Sequence, residues 1–307
     1  MPRRSAHRGR TLILCYHRVA DGVEDPYALC VSSARFEAQL RRLLKHGEPA
    51  TLDELAEPAR YPRFVATFDD GYADNLALAA PIARRLGVPL TVYVTSAIVD
   101  DARGFWWDRL DAILRHPRAA KAHSAVLDGT RVALALENPR ARVATRMRLH
   151  TRLRSLPVDE IDDLLTELGN ELNVPDEAPL DARPMTTEEL RALSLPSSGV
   201  AIGAHSVDHT LMGGNGLERQ LQMAAESKAA LEARIGRGVD HFAYPFGDPR
   251  AIDDDSARAA ALAGFRSAVT TQPGLAEASP SRYALRRHVV LDWSPARFEV
   301  QLRYWGL

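Results

Sequence analysis

The chain has 307 residues, with 39 Lys and Arg against 40 Asp and Glu, which gives a formal net charge of −1. Its apolar fraction of 46% supplies enough material for a core and excludes a disordered chain. The balanced charge disfavours a main role in nucleic-acid binding, because no excess of positive charge is present to neutralise phosphates. The length fits two average domains, or one α/β barrel of roughly 250 residues with insertions.

Cysteine content and hydrophobicity bear on the compartment. Cys15 and Cys30 are too few for a disulfide framework or a multi-cysteine zinc site, so we interpret them as reduced thiols. The basic N-terminal segment is followed by an apolar run, 12–16, that is shorter than the roughly 7–15 residues of a signal-peptide core. Since no run of about 18 apolar residues is present, we expect no membrane span and a cytoplasmic protein.

Short apolar runs alternate with amphipathic segments along most of the chain. This alternation predicts an α/β protein with a parallel sheet and covering helices, and we favour a closed or nearly closed barrel. The predicted strands lie at 11–16, 64–68, 90–94, 200–204, 241–244, 265–269 and 288–291. The predicted helices start at Ser33 and cover about 75–86, 217–235 and 256–263.

The stretch 104–184 breaks this rhythm and predicts a mainly helical insertion within a single domain of 1–307. It includes a possible hairpin around Asp128-Gly129 and an acidic amphipathic helix over 159–172. Between them lies a basic segment without an acidic residue: Arg140, Arg142, Arg146, Arg148, Arg152 and Arg154. These arginines either clamp an anionic ligand, such as a sugar on a phosphate carrier, or form a solvated face against the acidic helix; we favour the second interpretation.

Two polar motifs directly follow predicted strands. Asp69 and Asp70 end a buried strand, and Gly71 permits a turn that lets the two carboxylates face different partners. Alone, this pattern also fits an acidic turn. His205 and His209 are four residues apart and can reach one cation, although two unrelated loop histidines would look the same. Because the carboxyl ends of parallel strands share one rim, we expect both motifs at the same site.

The segment 241–247 is a third motif at a strand end. Pro245 and Gly247 fix a turn that can aim a backbone N–H into the same site. By itself this segment is weak evidence, since a strand-terminating turn has the same composition.

In this order, the three motifs resemble those of the NodB-type polysaccharide deacetylases, carbohydrate esterase family 4. The similarity runs from Tyr16-His17-Arg18-Val19 to about His288 and omits the insertion. Segment 106–110 is also similar to cytoplasmic-looking members associated with polysaccharide or oligosaccharide biosynthesis. The resemblance implies a distorted (β/α) barrel of NodB-homology type. It also implies a metal-dependent hydrolase that removes N-acetyl groups from an amino sugar or an oligo- or polysaccharide.

The same resemblance implies a role for individual residues. A divalent metal ion, with zinc the expected one, would be held by Asp70, His205 and His209. These three ligands leave a coordination position open for water, as catalytic zinc requires. Asp69 would act as the general base and His288 as the acid for the leaving amine. The expected oxyanion and substrate contacts are Phe246, through its backbone N–H, together with Tyr244 and His17.

The sequence departs from the family pattern at two places. Ala243 stands where many members carry an arginine that orients the base, and Arg286 or Arg287 is a possible substitute from another strand. The acidic-Trp pair 292–293 follows His288, whereas the family places it before the histidine. The sequence therefore matches the family less well at the expected substrate contacts than at the expected metal ligands.

Two other functions stay open. The chain could deacylate a small amide, such as a nucleotide-linked sugar or an antibiotic intermediate, or it could be a catalytically silent carbohydrate-binding relative. A glycosidase is disfavoured, because adjacent carboxylates do not readily flank a glycosidic bond at a separation of about 5 Å or more.

We further expect the insertion to cover the catalytic rim and govern substrate choice. The sequence leaves the oligomeric state open.

Overall fold

A computed structural model of the chain describes residues 9–57, 59–119, 123–176 and 179–307. The chain divides into two compact units, one formed by 1–99 together with 185–307 and the other by 100–184. Within the described ranges, no helix combines the length and the apolar character required to cross a membrane. Both cysteines, Cys15 and Cys30, are free and buried.

The secondary structure follows the predicted alternation of strands and helices. In chain order, the strands are β1 Thr11–Tyr16, β2 Arg18–Val19, β3 Cys30–Val31, β4 Glu48–Pro49, β5 Arg63–Phe68, β6 Leu90–Val94, β7 Ser124–Leu127, β8 Thr130–Ala133, β9 Val200–Ala204, β10 His241–Ala243, β11 Ser267–Val269 and β12 His288–Val289. The α-helices are α1 Ser33–His46, α2 Ala80–Arg85, α3 Trp106–Arg115, α4 Pro139–Leu153, α5 Val158–Leu172, α6 Thr187–Leu193, α7 Gly216–Ile235, α8 Asp254–Leu262 and α9 Pro295–Trp305. A π-helical turn, Asn75–Ala79, leads into α2.

The larger unit is a parallel barrel, which confirms the predicted (β/α) fold. Its strand order is β11-β10-β9-β6-β5-β1-β12, and β4 adds to the start of β5. The ring closes because Leu285 bridges to Val269 of β11, while the following β12 pairs with β1 at His288 and Leu14. The carboxyl ends of the strands therefore meet at one rim, where the polar motifs lie.

Strand residues alternate between the barrel interior and the surrounding helices. On the outer face, Leu14 and Tyr16 of β1 join the core cluster of Phe36 on α1 and Phe298 on α9. The rings of Tyr16 and Phe36 meet edge-to-face at 5.2 Å. Burying these side chains against α1 and α9 contributes about 1.5–3 kcal/mol each to stability.

The inner face is filled by a second cluster that includes Ile13, Val65, Tyr93 and Val269. Gly203 makes room for the Tyr93 ring, because a Cβ at position 203 would lie 2.3 Å from Tyr93 Cδ1. Any larger residue at 203 would displace this ring from the barrel interior. The interior below the rim is thus packed, so the chemistry is confined to the carboxyl ends of the strands.

The smaller unit, 100–184, contains α3, the β7–β8 hairpin, α4 and α5. The predicted Asp-Gly turn is present, with Asp128 at φ 51°. Arg146 of α4 pairs with Asp111 of α3 at 2.7 Å, and both side chains are buried.

Three arginines of the basic segment, Arg140, Arg148 and Arg152, lie on an exposed face of α4, as the favoured interpretation expects. Among the described residues, none of the three pairs with an acidic side chain of α5. On α5, Asp162 pairs with Arg103 and Arg109 of the same unit. Glu171 of α5 accepts a hydrogen bond from a backbone N–H of the hairpin. Asp162 and Glu171 therefore have partners outside α4, and Arg140, Arg148 and Arg152 stay exposed.

Candidate active site

Left-handed backbone conformations cluster where the three motifs leave the strands. Asp70 after β5, Ser206 and His209 after β9, and Phe246 after β10 have φ values of 76°, 60°, 66° and 61°. Each such conformation costs a non-glycine residue of order 1–3 kcal/mol, and such residues concentrate at functional sites. At Gly71, which has φ 95°, a Cβ would lie 3.0 Å from a methyl group of Val94. The turn at 69–71 therefore requires glycine.

Asp70, His205 and His209 form a buried cluster at this rim. The Nε2 atoms of both histidines lie 3.5 Å from Asp70 Oδ1. Ligands about 2.0–2.2 Å from a tetrahedral ion are separated from one another by about 3.4 Å, so these distances fit a divalent metal site. His205 Nδ1 lies 2.8 Å from the carbonyl oxygen of Ala243, to which it donates. That hydrogen bond holds the proton on Nδ1, so Nε2 is the nitrogen that carries the lone pair when the imidazole is neutral.

The protonation states of the two histidines differ. Burial lowers the pKa of His209 to about 3, so its imidazole is neutral and available as a ligand. Burial also disfavours protonated His205, but the hydrogen bond to Asp70 and the charges of Asp69 and Asp70 together outweigh burial and raise the pKa of His205 above its usual value. A cation that binds here would therefore displace a proton from the Asp70–His205 pair.

Asp69 points into the barrel and is held by a different group, Arg287. The guanidinium donates to both carboxylate oxygens, NH1 to Oδ1 at 2.7 Å and NH2 to Oδ2 at 2.6 Å. Burial would raise the pKa of Asp69, but the Arg287 charge and hydrogen bonds hold that pKa well below its usual range. Asp69 is therefore ionised although its side chain is buried. Of the two arginines considered from the sequence, Arg287 is the one beside the base.

Arg287 is itself fixed on every side. Its side chain is 0% exposed, NH1 also donates to Thr67 Oγ1 at 3.0 Å, and Nε donates to the carbonyl of Thr270 at 2.9 Å. The guanidinium carbon lies 5.6 Å from the centroid of the Tyr93 ring. These contacts orient the planar fork, which in turn sets the angle of the Asp69 carboxylate.

Cys15 of β1 and His17, which follows that strand, complete the surroundings of Asp69. Cys15 Sγ donates to Asp69 Oδ2 at 3.4 Å, a contact that we did not predict. The ligand atoms of Cys15, His17 and Asp69 all lie within 4.8 Å of one another. His17 is half-buried, and its Nδ1 has no hydrogen-bond partner among the residues described. No chemical motif marks Cys15 in the sequence. The one feature that could have pointed to its contact with Asp69 is its inward position on β1, opposite Thr67 of β5.

The turn after β10 lies against the same histidines. The Phe246 ring packs edge-on against His209 with centroids 4.5 Å apart. Thr271 donates from Oγ1 to the Phe246 carbonyl at 2.8 Å, and a Cβ at Gly247 would lie 2.7 Å from the Thr271 nitrogen. The structure thus places the Phe246 ring against the cluster and ties the Phe246 carbonyl to the segment that follows β11.

His288 and Tyr244, two residues that the sequence placed in the site, lie on the outer face of the sheet. The His288 ring stacks on Trp305 at 4.5 Å, its Nε2 accepts a hydrogen bond from the Gly274 N–H, and burial lowers its pKa to about 4. Tyr244 is 1% exposed and donates its hydroxyl hydrogen to the Tyr283 carbonyl at 2.7 Å. Because side chains alternate along a strand, the inward direction of Arg287 forces His288 outward. The structure therefore corrects both placements.

Part of the chain is similar to known polysaccharide deacetylases. A family model described as polysaccharide deacetylase matches residues 183–268, a segment that contains the His205–His209 and 241–247 motifs. The Bacillus subtilis (strain 168) protein YxkH, whose name assigns it to the polysaccharide deacetylases, is 27% identical over 103 residues. That alignment covers 34% of this chain and 35% of YxkH, so the chain matches about a third of that relative's length. The resemblance predicted from the motifs is confirmed.

Solved structures resemble this chain over nearly its whole length. The Streptococcus pyogenes deacetylase PplD, solved in complex with acetate, has a TM-score of 0.61 at 17% identity and covers 97% of this chain and 99% of its own. The structure of IcaB from Ammonifex degensii has a TM-score of 0.60 at 16% identity, with 97% of each chain covered. At these identities the likeness establishes a shared fold.

Proposed function

We propose that this polysaccharide-deacetylase-like chain is a metal-dependent hydrolase that removes N-acetyl groups from an amino-sugar unit of a carbohydrate. One observation carries the proposal: two adjacent buried carboxylates have separate partners at the barrel rim. Asp69 is paired with Arg287, and Asp70 lies with His205 and His209. This arrangement supplies an ionised base beside a set of three ligands for a cation, as hydrolysis of an amide requires.

The ligand set proposed for the metal is Asp70, His205 and His209. Its nitrogen and oxygen donors suit zinc, and the 3.5 Å distances from each histidine Nε2 to Asp70 Oδ1 are short enough for these atoms to hold one ion together. When bound, the ion lowers the pKa of a bound water and polarises the acyl oxygen. The hydrogen bond from His205 Nδ1 to Ala243 keeps this ligand in the required tautomer.

Asp69 accepts the proton of the attacking water in this mechanism. Arg287 keeps the carboxylate ionised and aims it, and Cys15 adds a weaker hydrogen bond to Oδ2. Oδ2 accepts hydrogen bonds from two side chains, Arg287 and Cys15, whereas Oδ1 accepts from Arg287 alone among the side chains that contact the carboxylate. Oδ1 is therefore the oxygen better able to take the proton. General-base assistance of this kind contributes roughly 10²–10⁴-fold in rate.

His17 is the proposed proton donor to the leaving amine. It replaces His288 in this role, because His288 packs against Trp305 on the outer face. A ring nitrogen of His17 lies within 4.8 Å of an Asp69 carboxylate oxygen, so donor and base are on the same side of the site. We retain the backbone N–H of Phe246 as the proposed contact to the developing oxyanion, and we no longer include Tyr244.

Release of acetate from a panel of N-acetylated compounds tests the proposal. The panel contains free N-acetyl sugars, nucleotide-linked and lipid-linked N-acetyl sugars and N-acetylated oligosaccharides. We expect acetate from at least one carbohydrate, loss of activity with a chelator, and recovery on addition of zinc. The Asp69→Asn variant is the matched control for contaminating activity.

A negative result from this panel would also be informative. If metal-loaded protein releases no acetate but binds a saccharide from the panel, the chain is a silent carbohydrate-binding relative and the proposal is wrong. Turnover confined to small amides without a sugar would instead establish an amide deacylase and overturn the substrate class.

A further inference from the structure

Helix α4 of the smaller unit presents one face to solvent along its whole length. The exposed residues recur at the three- and four-residue spacing of a single helix face: Arg140, Val143, Ala144, Met147, Arg148, Thr151 and Arg152. The opposite face is buried, with Leu149 and Leu153 in the core of the unit and Arg146 paired with Asp111. Packing and ion pairing therefore explain the buried face, and the exposed face has no such structural role.

The exposed face of α4 carries uncompensated positive charge. Helix α4 contains no acidic residue, and among the residues described no carboxylate pairs with Arg140, Arg148 or Arg152. Within the described part of the chain, the hydrogen bond that these guanidinium groups make runs from Arg148 to the Ala133 carbonyl. Glu137, just before the helix, is the nearest acidic residue in sequence.

Two apolar side chains lie between these arginines. Val143 is 45% exposed and Met147 is 43% exposed, and both are among the large hydrophobic residues that solvent reaches. A surface that binds an anionic bilayer needs cationic side chains for the headgroups and apolar side chains for the acyl boundary, and the exposed face of α4 supplies both. We propose that this face of α4, consisting of the seven residues above, binds the surface of an anionic lipid membrane.

Charge and composition favour a membrane over other anionic partners. A nucleic acid would engage the arginines but has no use for Val143 and Met147, and the whole chain carries a net charge of −1. An anionic bilayer engages both, because its headgroups attract the arginines and its acyl boundary takes up the apolar side chains. Each arginine near such a surface strengthens partitioning about fivefold, so three give about 100-fold. Binding is expected to be reversible and to weaken as salt rises.

Co-sedimentation of the full chain with vesicles tests this inference. We expect binding to phosphatidylcholine vesicles that contain phosphatidylglycerol and little binding to phosphatidylcholine alone. Replacing Arg140, Arg148 and Arg152 with Gln should weaken binding about 100-fold. The matched control replaces three exposed arginines on other helices, Arg219, Arg258 and Arg303, with Gln and should change binding far less. Circular dichroism and the melting temperature establish that each variant is folded, and Arg152→Glu alone is the milder test if the triple variant is not.

Other results of the same experiment would overturn the membrane assignment. Absence of wild-type binding to phosphatidylglycerol vesicles at low salt overturns the inference, as does equal binding by the two triple variants. A Val143→Ser/Met147→Ser variant should also bind vesicles more weakly. If that variant binds as wild type does, and a single-stranded oligonucleotide competes fully with vesicles, the face is a general polyanion site and the membrane assignment is wrong. Acetate release from a soluble substrate should be unchanged in all α4 variants, so this test is independent of the proposed activity.

Discussion

At the start of β12, the adjacent residues Arg287 and His288 point to opposite faces of the barrel sheet. Arg287 points inward and places both of its terminal nitrogens on the Asp69 carboxylate. His288, the next residue, points outward and stacks on Trp305. Both are basic and both are buried, yet one faces the proposed base and the other faces a helix. The direction of a side chain from the strand therefore decides which residues can take part in the chemistry.

The energetic roles of the two faces differ as well. Replacing a buried ion pair by apolar residues is often neutral or stabilising, so the Asp69–Arg287 pair is not explained by stability. Its retention in the barrel interior is consistent with a functional role for Asp69. On the outer face, Trp305, Phe298 and His288 bury ring surface between sheet and helix. That burial stabilises the fold without placing a reactive group in the site.

Loss of the proposed metal ligands should have the largest effect on bound metal and on acetate release. In a His205→Ala/His209→Ala variant, the remaining carboxylate cannot hold a zinc ion alone, so we expect bound metal to fall from about one ion per chain to near zero. Acetate release should fall to background. Elemental analysis of protein purified without added metal provides the measurement, with His288→Phe as the control. Unchanged metal content in the double variant would remove these histidines from the ligand set.

Asp69→Asn should produce the next largest effect. Asn is nearly isosteric but cannot accept a proton at neutral pH, so kcat is expected to fall roughly 10²–10⁴-fold. Metal content should stay close to wild type, because Asp69 is outside the proposed ligand set. The melting temperature should fall, because the buried guanidinium of Arg287 loses its anionic partner. Wild-type turnover would exclude Asp69 as the base, and loss of metal would make it a ligand instead.

Replacing Arg287 should cost both stability and rate. Arg287→Met leaves the Asp69 charge buried without its partner, for which we expect a fall in the free energy of unfolding of about 3–5 kcal/mol. In an Asp69→Leu background the same change should cost much less, so a double-mutant cycle from denaturant unfolding isolates the pair. Arg287→Lys keeps a charge but loses the two-pronged contact, and misplacement of Asp69 should lower kcat by up to about 100-fold. Full activity of Arg287→Lys would mean that Arg287 does not position the base.

The barrel and the metal cluster were predictable from local patterns in the sequence. Apolar runs marked strands such as β1 and β6, and the rule that sites lie at the carboxyl ends of parallel strands brought Asp70 and His205 together. The identity of the arginine beside Asp69 was not predictable. It depends on the register of β12 with β1, where Leu14 is opposite His288, and a shift of one residue would turn Arg286 inward instead. That register is set by distant parts of the chain, so the motif around His288 did not reveal that its ring faces outward.

Substitutions on the outer face of the sheet should change kcat least, and His288 is the residue at which we test this. His288→Phe keeps a ring of similar volume against Trp305, so kcat should stay close to wild type and stability should change by less than about 1.5 kcal/mol near neutral pH. The pH dependence of stability should change more clearly. Burial holds the pKa of His288 at about 4, whereas an unfolded histidine titrates near 6.5. The unfolded state therefore binds more protons between these values, and wild-type stability is lost as the pH falls from about 6.5 toward about 4.

This loss amounts to about 3 kcal/mol at most, since each unit of pKa difference corresponds to about 1.4 kcal/mol. Phenylalanine cannot take up a proton, so the unfolding free energy of His288→Phe should decline less steeply over this range. Denaturant unfolding of both proteins at several pH values provides the comparison, and the other buried histidines, present in both, cancel in the difference. A kcat reduced by 10²-fold or more in a stably folded His288→Phe would show that His288 reaches the reacting atoms. Parallel pH profiles of stability would show that its ring is not buried as a neutral group on the outer face.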